Sequence, residues 1–431
     1  MLRSGNINIS LNRLLFTLFC LYAFSMPFEL VLEVFFDIDT IFKPFRIISL
    51  AIISVFGVKS IKNDFRFNFP DRTDLLLYLV YAYGLFISLY RIITKFFDFG
   101  YFYNELFQIT LFFITFFIYK SILLTVEQAI TIIKYFIAGI IVNALYIFYN
   151  FVILYQYGRQ AGLTDNPNYT SLAVLTVTTF LILKLNLKVD QFNSLLKIVG
   201  IGLLTTFLLY INILTGCRTG LIIFALSSIF IFFFSSLRKK ILLLSLGLMV
   251  GLFFIPQNLN EANLGGPLVL LKRLNQSIET GGEDVRYVVW RGVFRVLEQE
   301  GYGGMGIGQF KANFTKYFSN ESNKLIMEMV NRGYHLSTHN DFLALLSDYG
   351  IIGLMIYLIF LFFCFKKVSF QLFTKSRNSQ QQFLAQFNFI VFMSILIFGL
   401  TAENFQHQLF WFLLMFSTKT YETLSKNDSY E

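Results

Sequence analysis

Twelve apolar runs separated by polar connections dominate this chain, near residues 14–28, 41–58, 74–92, 104–124, 130–154, 169–187, 197–214, 219–236, 241–256, 350–365, 388–402 and 408–418. A helix that crosses the hydrocarbon core of a bilayer needs about 20 mostly apolar residues, and the helix is the form that satisfies its own backbone there. Composition agrees, with 56% of 431 residues hydrophobic and 14% charged, where a soluble domain carries about a quarter charged residues. The expected fold is an all-α integral membrane protein of about 12 transmembrane helices. No internal repeat is evident. Cys20, Cys217 and Cys364 show neither disulfide nor thiolate-metal spacing.

The net charge of +9 acquires meaning from where the basic residues fall. With the N-terminus and its Arg3 and Arg13 in the cytoplasm, the even-numbered connections are basic: Lys59, Lys62, Arg66 and Arg72 in the second, Arg238, Lys239 and Lys240 in the eighth, Lys366, Lys367, Lys375 and Arg377 in the tenth. The first connection instead holds Glu29, Glu33, Asp37 and Asp39. Topology and contact with anionic membrane lipid account for the charge, and no nucleic acid partner is indicated. The first run has basic flanks and no small-residue cleavage site, as in a retained signal anchor.

The ninth connection is far longer than the rest. The expected division is therefore 1–256 for helices 1 to 9, 257–349 for a large, partly helical extracytoplasmic loop between helices 9 and 10, and 350–431 for helices 10 to 12 with a short cytoplasmic tail. Within the loop, Val285, Val289, Val293, Val296 and Leu297 share one helical stripe, with Val288 off it, while Arg291 and Arg295 take the solvated face near Glu298. Arg286 projects from the middle of the apolar stripe and wants an anionic partner, whether a structural carboxylate or a ligand phosphate. The glycine cluster GYGGMGIGQF, 301–310, follows. No buried strand precedes it and no Lys-Ser/Thr closes it, so it reads as a close-packed turn where backbone approaches another segment or a ligand, not as a nucleotide loop.

Thr338 and Asp341 have capping-box spacing ahead of the apolar run from Phe342, which puts His339 and Asn340 in the first turn of a helix. A helix N-terminus disfavours the imidazolium. His339 there is either a structural hydrogen-bonder or a general base. His335, His339 and His407 lack companion carboxylates or cysteines at ligand spacing, so no metal site is expected. Two other external connections are unusual. GRQAGLTDNPNYTS places Arg159, Asn166 and Asn168 before a span, and LTGCRTG places Arg218 between two. Arg218 could snorkel to the interface. Arg159, Arg218 and Arg286 nevertheless all fall on the side that positive-inside placement depletes, and arginine forks match diphosphate oxygens.

Four segments, GRQAGLTDNPNYTSLAVL, LTGCRTGL, DVRYVVWRGVF with GYGGMGIGQF, and HNDFLALLSDYGIIGL, in this order and membrane placement, resemble the O-antigen ligase and O-antigen polymerase family from about residue 130 onward. Cys217 stands where the family more often has Ser. The resemblance implies a bacterial inner-membrane glycosyltransferase of surface polysaccharide, that is lipopolysaccharide O-antigen, biosynthesis with its site facing the periplasm. Its donor would be an undecaprenyl-diphosphate-linked oligosaccharide and its acceptor a second glycan or the lipid A core. It further implies no metal and no nucleotide cofactor, Arg218 and Arg286 at the donor diphosphate, His339 as the base on the acceptor hydroxyl, and Arg159, Asn166, Asn168 and Asn340 lining the site. A transporter such as a lipid-linked oligosaccharide flippase is the competing class, but it should show related halves and midplane polar residues on broken helices. A scaffolding protein would leave the external arginines without a role. The short tail from Lys419 is expected to disfavour protein-glycosylating relatives that carry an extra external domain.

Overall fold

The computed structural model describes residues 2–38, 43–62, 71–94, 97–156, 159–186, 195–233, 285–319, 324–333, 335–373, 378–403 and 405–428. All regular secondary structure among them is helical. The first nine helices are α1 (Leu2–Ser25), α2 (Val31–Phe36), α3 (Pro44–Lys62), α4 (Arg72–Thr94), α5 (Phe99–Ser121), α6 (Val126–Val152), α7 (Pro167–Asn186), α8 (Leu195–Leu214) and α9 (Arg218–Phe233). Then come α10 (Val285–Glu300), α11 (Gln309–Ala312), α12 (Phe314–Phe318), α13 (Lys324–Asn331), α14 (Asp341–Phe373), α15 (Ser379–Gly399) and α16 (Gln408–Asp428). Seven of these, α3 to α7, α14 and α15, are long and apolar enough to cross a membrane, and Leu11–Ser25, Ile198–Leu214 and Arg218–Phe233 are shorter apolar helices. The apolar run at 241–256 and the first part of the long loop lie outside the described residues.

The bundle pairs α4 with α14, α1 with α3 and α6, α7 with α8, and α15 with α16 and α14. Trp411 of α16 is buried at its centre, stacked on Phe112 of α5 with the Phe113 ring 4.8 Å away, and its indole N–H donates to the Phe405 carbonyl at 2.7 Å. Glycines let helices touch: a Cβ on Gly139 of α6 would stand 2.2 Å from the Phe24 carbonyl oxygen of α1.

One end of the bundle carries a second apolar core. Val288, Val289, Val293, Val296 and Leu297 of α10 pack with Met305, Phe310, Phe314, Phe318 and Ile326, so the described part of the long loop folds on its own cluster. Val288 therefore belongs to the buried stripe instead of departing from it, because Phe318 packs so closely on Gly292 that the buried face of α10 shifts toward that side. Arg291 and Arg295 are exposed, as their wheel positions require. The glycine loop then locks onto α14. That helix breaks at Gly350, whose φ of 70° is open to glycine, and its N–H neighbour Ile351 donates to the Tyr302 carbonyl at 3.0 Å. Met305 and Gly306 N–H groups donate to the Ser347 and Asp348 carbonyls at 2.9 Å each, and a Cβ on Gly350 would lie 2.4 Å from the Gly303 carbonyl carbon. The expected close approach of backbone to another segment is thus realised. Arg91, at the end of α4, fastens the same loop through Nε to the Gly304 carbonyl at 2.8 Å and through its guanidinium to Glu300.

The other end is tied by charge. Lys120 of α5 is buried between Asp74 of α4, at 3.0 Å, and Glu422 of α16, while Lys419 donates to the Lys120 carbonyl at 2.7 Å.

Candidate active site

A polar cavity of ≈ 290 Å³ opens at the end of the bundle that carries the glycine loop. Its wall is assembled from six separate stretches of chain: the α1–α2 turn (Glu29), the start of α3 (Lys43), the start of α5 (Glu105 and Gln108), the α6–α7 connection (Asp165 to Tyr169), the long loop (Lys311, Ser337, His339) and the α15–α16 turn (Ala402 to Gln408).

Of the residues singled out from the sequence, His339, Asn166 and Asn168 line this cavity together. Asn168 Oδ1 accepts from Arg159 at 2.8 Å, and Arg159 Nε donates to the Thr215 carbonyl at 3.0 Å. Gln160 N–H donates to the Leu214 carbonyl at 3.0 Å. The connections before α7 and before α9 are therefore packed against each other, with Arg159 beside the turn that leads into Arg218, the first residue of α9. Arg218 and Arg286 are not among the described lining residues. Arg286 sits one helical turn from Trp290, on the same side of α10, and the Trp290 indole donates to the Thr338 carbonyl at 2.9 Å, next to His339.

The local structure at His339 differs from the capping box expected. The helix begins at Asp341 and Asn340 is its cap: Asn340 Oδ1 accepts from the Phe342 and Leu343 N–H groups at 2.9 and 3.1 Å. Thr338 cannot serve because its N–H and hydroxyl are both directed at Glu403 Oε2, at 3.1 and 3.4 Å, and its hydroxyl also reaches the Asn340 carbonyl at 2.8 Å. Asp341 turns to accept the Phe405 N–H at 2.8 Å. His339 consequently precedes the helix instead of lying in its first turn, in a left-handed conformation with φ 50°. That conformation is costly for a side-chain-bearing residue and is held by Asn340, Glu403 and Trp290 around it. Asn340 is buried and also donates to the Leu400 carbonyl at 3.1 Å, so its contacts are structural. His335 takes a structural place too, with Nδ1 2.9 Å from the Lys311 carbonyl and its ring against Tyr101.

The facing wall was not foreseen. Glu29 is buried with Lys43 Nζ at 3.1 Å and His407 Nε2 at 3.3 Å, and Asp165 reaches both partners at 3.7 Å. Burial pushes the Glu29 carboxyl up, but the charges of His407 and Lys43 outweigh it and hold it well below the usual carboxylate range. Burial pushes the His407 imidazole down, and Glu29 and Asp165 reverse that, leaving it raised. His407 thus gains the carboxylate companions that its sequence neighbourhood lacks. Glu29, Asp165 and His407 could hold a metal ion by atom type, their ligand atoms lying within 4.8 Å of one another. Lys43 supplies the positive charge at the same carboxylates. Near His339, burial raises the Glu403 carboxyl while Lys311 pulls against the rise.

Chemically, the cavity offers a histidine on a fixed turn, Lys43 committed to Glu29 and Asp165, Lys311 over the Tyr101 ring, and side-chain amides. Such a lining suits hydroxyl groups better than a diphosphate, because its four carboxyl groups outnumber its two lysines. Residues 203–358 match the family model described as O-antigen ligase, a stretch that holds Arg218, Arg286, His339 and Asn340 but none of the Glu29–His407 wall. A comparison with curated proteins finds no match.

Proposed function

Residues 203–358 match the family model described as O-antigen ligase, and from that premise we propose that this chain is a membrane glycosyltransferase of surface polysaccharide assembly. It moves a glycan from undecaprenyl diphosphate to an acceptor hydroxyl, as a polysaccharide polymerase or an O-antigen ligase, on the outer side of the bacterial inner membrane. The single observation that carries this reading is His339, displayed at a polar cavity on a strained turn by Asn340 and Glu403.

In the proposed reaction the acceptor hydroxyl gives its proton to His339 as its oxygen attacks the anomeric carbon of the donor sugar. The bond from that carbon to the diphosphate oxygen breaks, and the electron pair leaves with the diphosphate. Arg218, Arg286 and Arg159 neutralise the leaving group, whose charge grows in the transition state. One-step displacement inverts the anomeric configuration. Arginines suit this work because their forks match phosphate oxygens, while the carboxylate-rich cavity takes the uncharged acceptor.

The test uses purified protein and its His339→Ala variant with an undecaprenyl-diphosphate oligosaccharide, following free undecaprenyl diphosphate and glycan length. Release with a ladder of longer chains, lost in the variant, identifies a polymerase. Release only on addition of lipid A core identifies a ligase. No release with any acceptor, from folded protein, would transfer the reading to a lipid-linked oligosaccharide transporter. Product that keeps the donor's anomeric configuration would exclude single displacement.

A further inference from the structure

Gln408, the first residue of α16, is fully buried in the cavity wall, yet neither its Nε2 nor its Oε1 has a hydrogen-bond partner. Buried amides are nearly always satisfied. Among the described residues, no other buried polar group without a partner lies in this wall. Its neighbours are in the opposite condition. Gln108 receives Arg46 at 3.0 Å and donates to the Gln406 carbonyl, Lys43 is paired with Glu29, and His407 with Glu29 and Asp165.

What the wall still offers alternates in sense. Asp165 presents a carboxylate that is 42% exposed, an acceptor. Asn166 Oδ1 is taken by the Asn168 backbone N–H at 2.9 Å and Asn168 Oδ1 by Arg159, so what each amide has left to offer is its N–H donors. Gln408, whose amide is closed off in the unliganded wall, offers one acceptor and two donors to a ligand that its side chain turns to meet. A row of hydroxyls on a pyranose ring, each both donor and acceptor, is complementary to such a set. The cavity, at ≈ 290 Å³, lies at the small end of ligand sites, about right for one ring. The wall holds four carboxyl groups, Glu29, Glu105, Asp165 and Glu403, against the cations Lys43, Lys311 and His407, a balance that favours a neutral sugar over an anionic one.

We infer that Gln408, Asp165, Asn166 and Asn168 form a saccharide subsite that reads one uncharged pyranose of the acceptor glycan. Gln408 is its specificity-determining amide. The assignment to the acceptor rests on the glycosyltransferase reading, but binding of the sugar does not.

The test is therefore a binding measurement without donor or turnover. Saturation-transfer NMR on the detergent-solubilised full chain is run against methyl glycosides of glucose, galactose, N-acetylglucosamine and N-acetylgalactosamine, with methyl glucuronide as the anionic control. At least one neutral glycoside should bind, and the glucuronide should not. Gln408→Met should weaken that binding at least tenfold while leaving the unliganded melting temperature unchanged or raised, since it removes an unpartnered amide. Because neither donor nor turnover enters the measurement, a failed subsite is read separately from a failed transferase. Wild-type binding by Gln408→Met, the absence of binding by every neutral glycoside, or a fall of several degrees in the melting temperature of Gln408→Met would each overturn the inference.

Discussion

The Glu403 carboxylate accepts the backbone N–H of Thr338 at 3.1 Å, one residue before His339, and so holds the turn on which the histidine is displayed. Glu403 is a positioning residue in this arrangement. Glu403→Ala should lower kcat by about tenfold to a hundredfold, the equivalent of one hydrogen bond to a charged group at ~1.5–3 kcal/mol. Glu403→Gln keeps an acceptor and should recover most of the loss. Equal kcat for the alanine variant and the wild type would dismiss the role.

Gly350 is the second point of strain. Its φ of 70° and the 2.4 Å approach of Gly303 leave no room for a methyl group. Gly350→Ala should destabilise the chain by at least ~1–3 kcal/mol, because left-handed strain and displacement of the glycine loop act together. Thermal unfolding in detergent measures it, and a Gly57→Ala control, where the added methyl meets nothing within 4 Å, should leave stability almost unchanged.

The Glu29–His407 pair predicts a pH window. His407 is raised above its usual 6.5, so its contribution is complete below pH 6.5 and fades as pH rises through the higher folded value. Glu29 is lowered below 4.5, so its contribution is complete above pH 4.5 and fades as pH falls through the lower folded value. Both act together between pH 4.5 and 6.5. The melting temperature of the wild type, compared with His407→Gln, should exceed it most inside that window. A difference that does not vary with pH would show that the pair contributes nothing through ionisation.

At the opposite end, Lys120 has 2% of its side chain exposed and balances Asp74 and Glu422. Lys120→Met should cost about 3–5 kcal/mol, since Asp74 is left buried without its cation while Glu422 keeps only Lys419, at 3.0 Å. Adding Asp74→Asn should restore part of that stability. Additive losses in the double variant would argue against a direct pair.

The helices were legible in the sequence because a membrane span advertises itself locally, through a run of apolar residues that needs no knowledge of the rest of the chain. His339, Asn166 and Asn168 were legible from topology, which put their connections on one side, and the structure gathers them at one cavity. The helix start at Asp341 was misread because Thr338 has the right spacing for a cap, whereas its hydroxyl and N–H answer to Glu403, 65 residues away. The Glu29 wall was missed for the same reason in stronger form. His407 is 378 residues from Glu29, and no periodicity or motif spans that distance. The only local hint was an acidic first connection, which charge-placement reasoning absorbed into topology.

The pairing of Glu29 with His407 also dictates when the cavity can exist during synthesis. Its wall joins the first turn of the bundle to the last, so almost the whole polypeptide must leave the ribosome and enter the bilayer before the wall closes. Partly inserted chains therefore lack this pocket, whose wall is complete only once the final helix has docked.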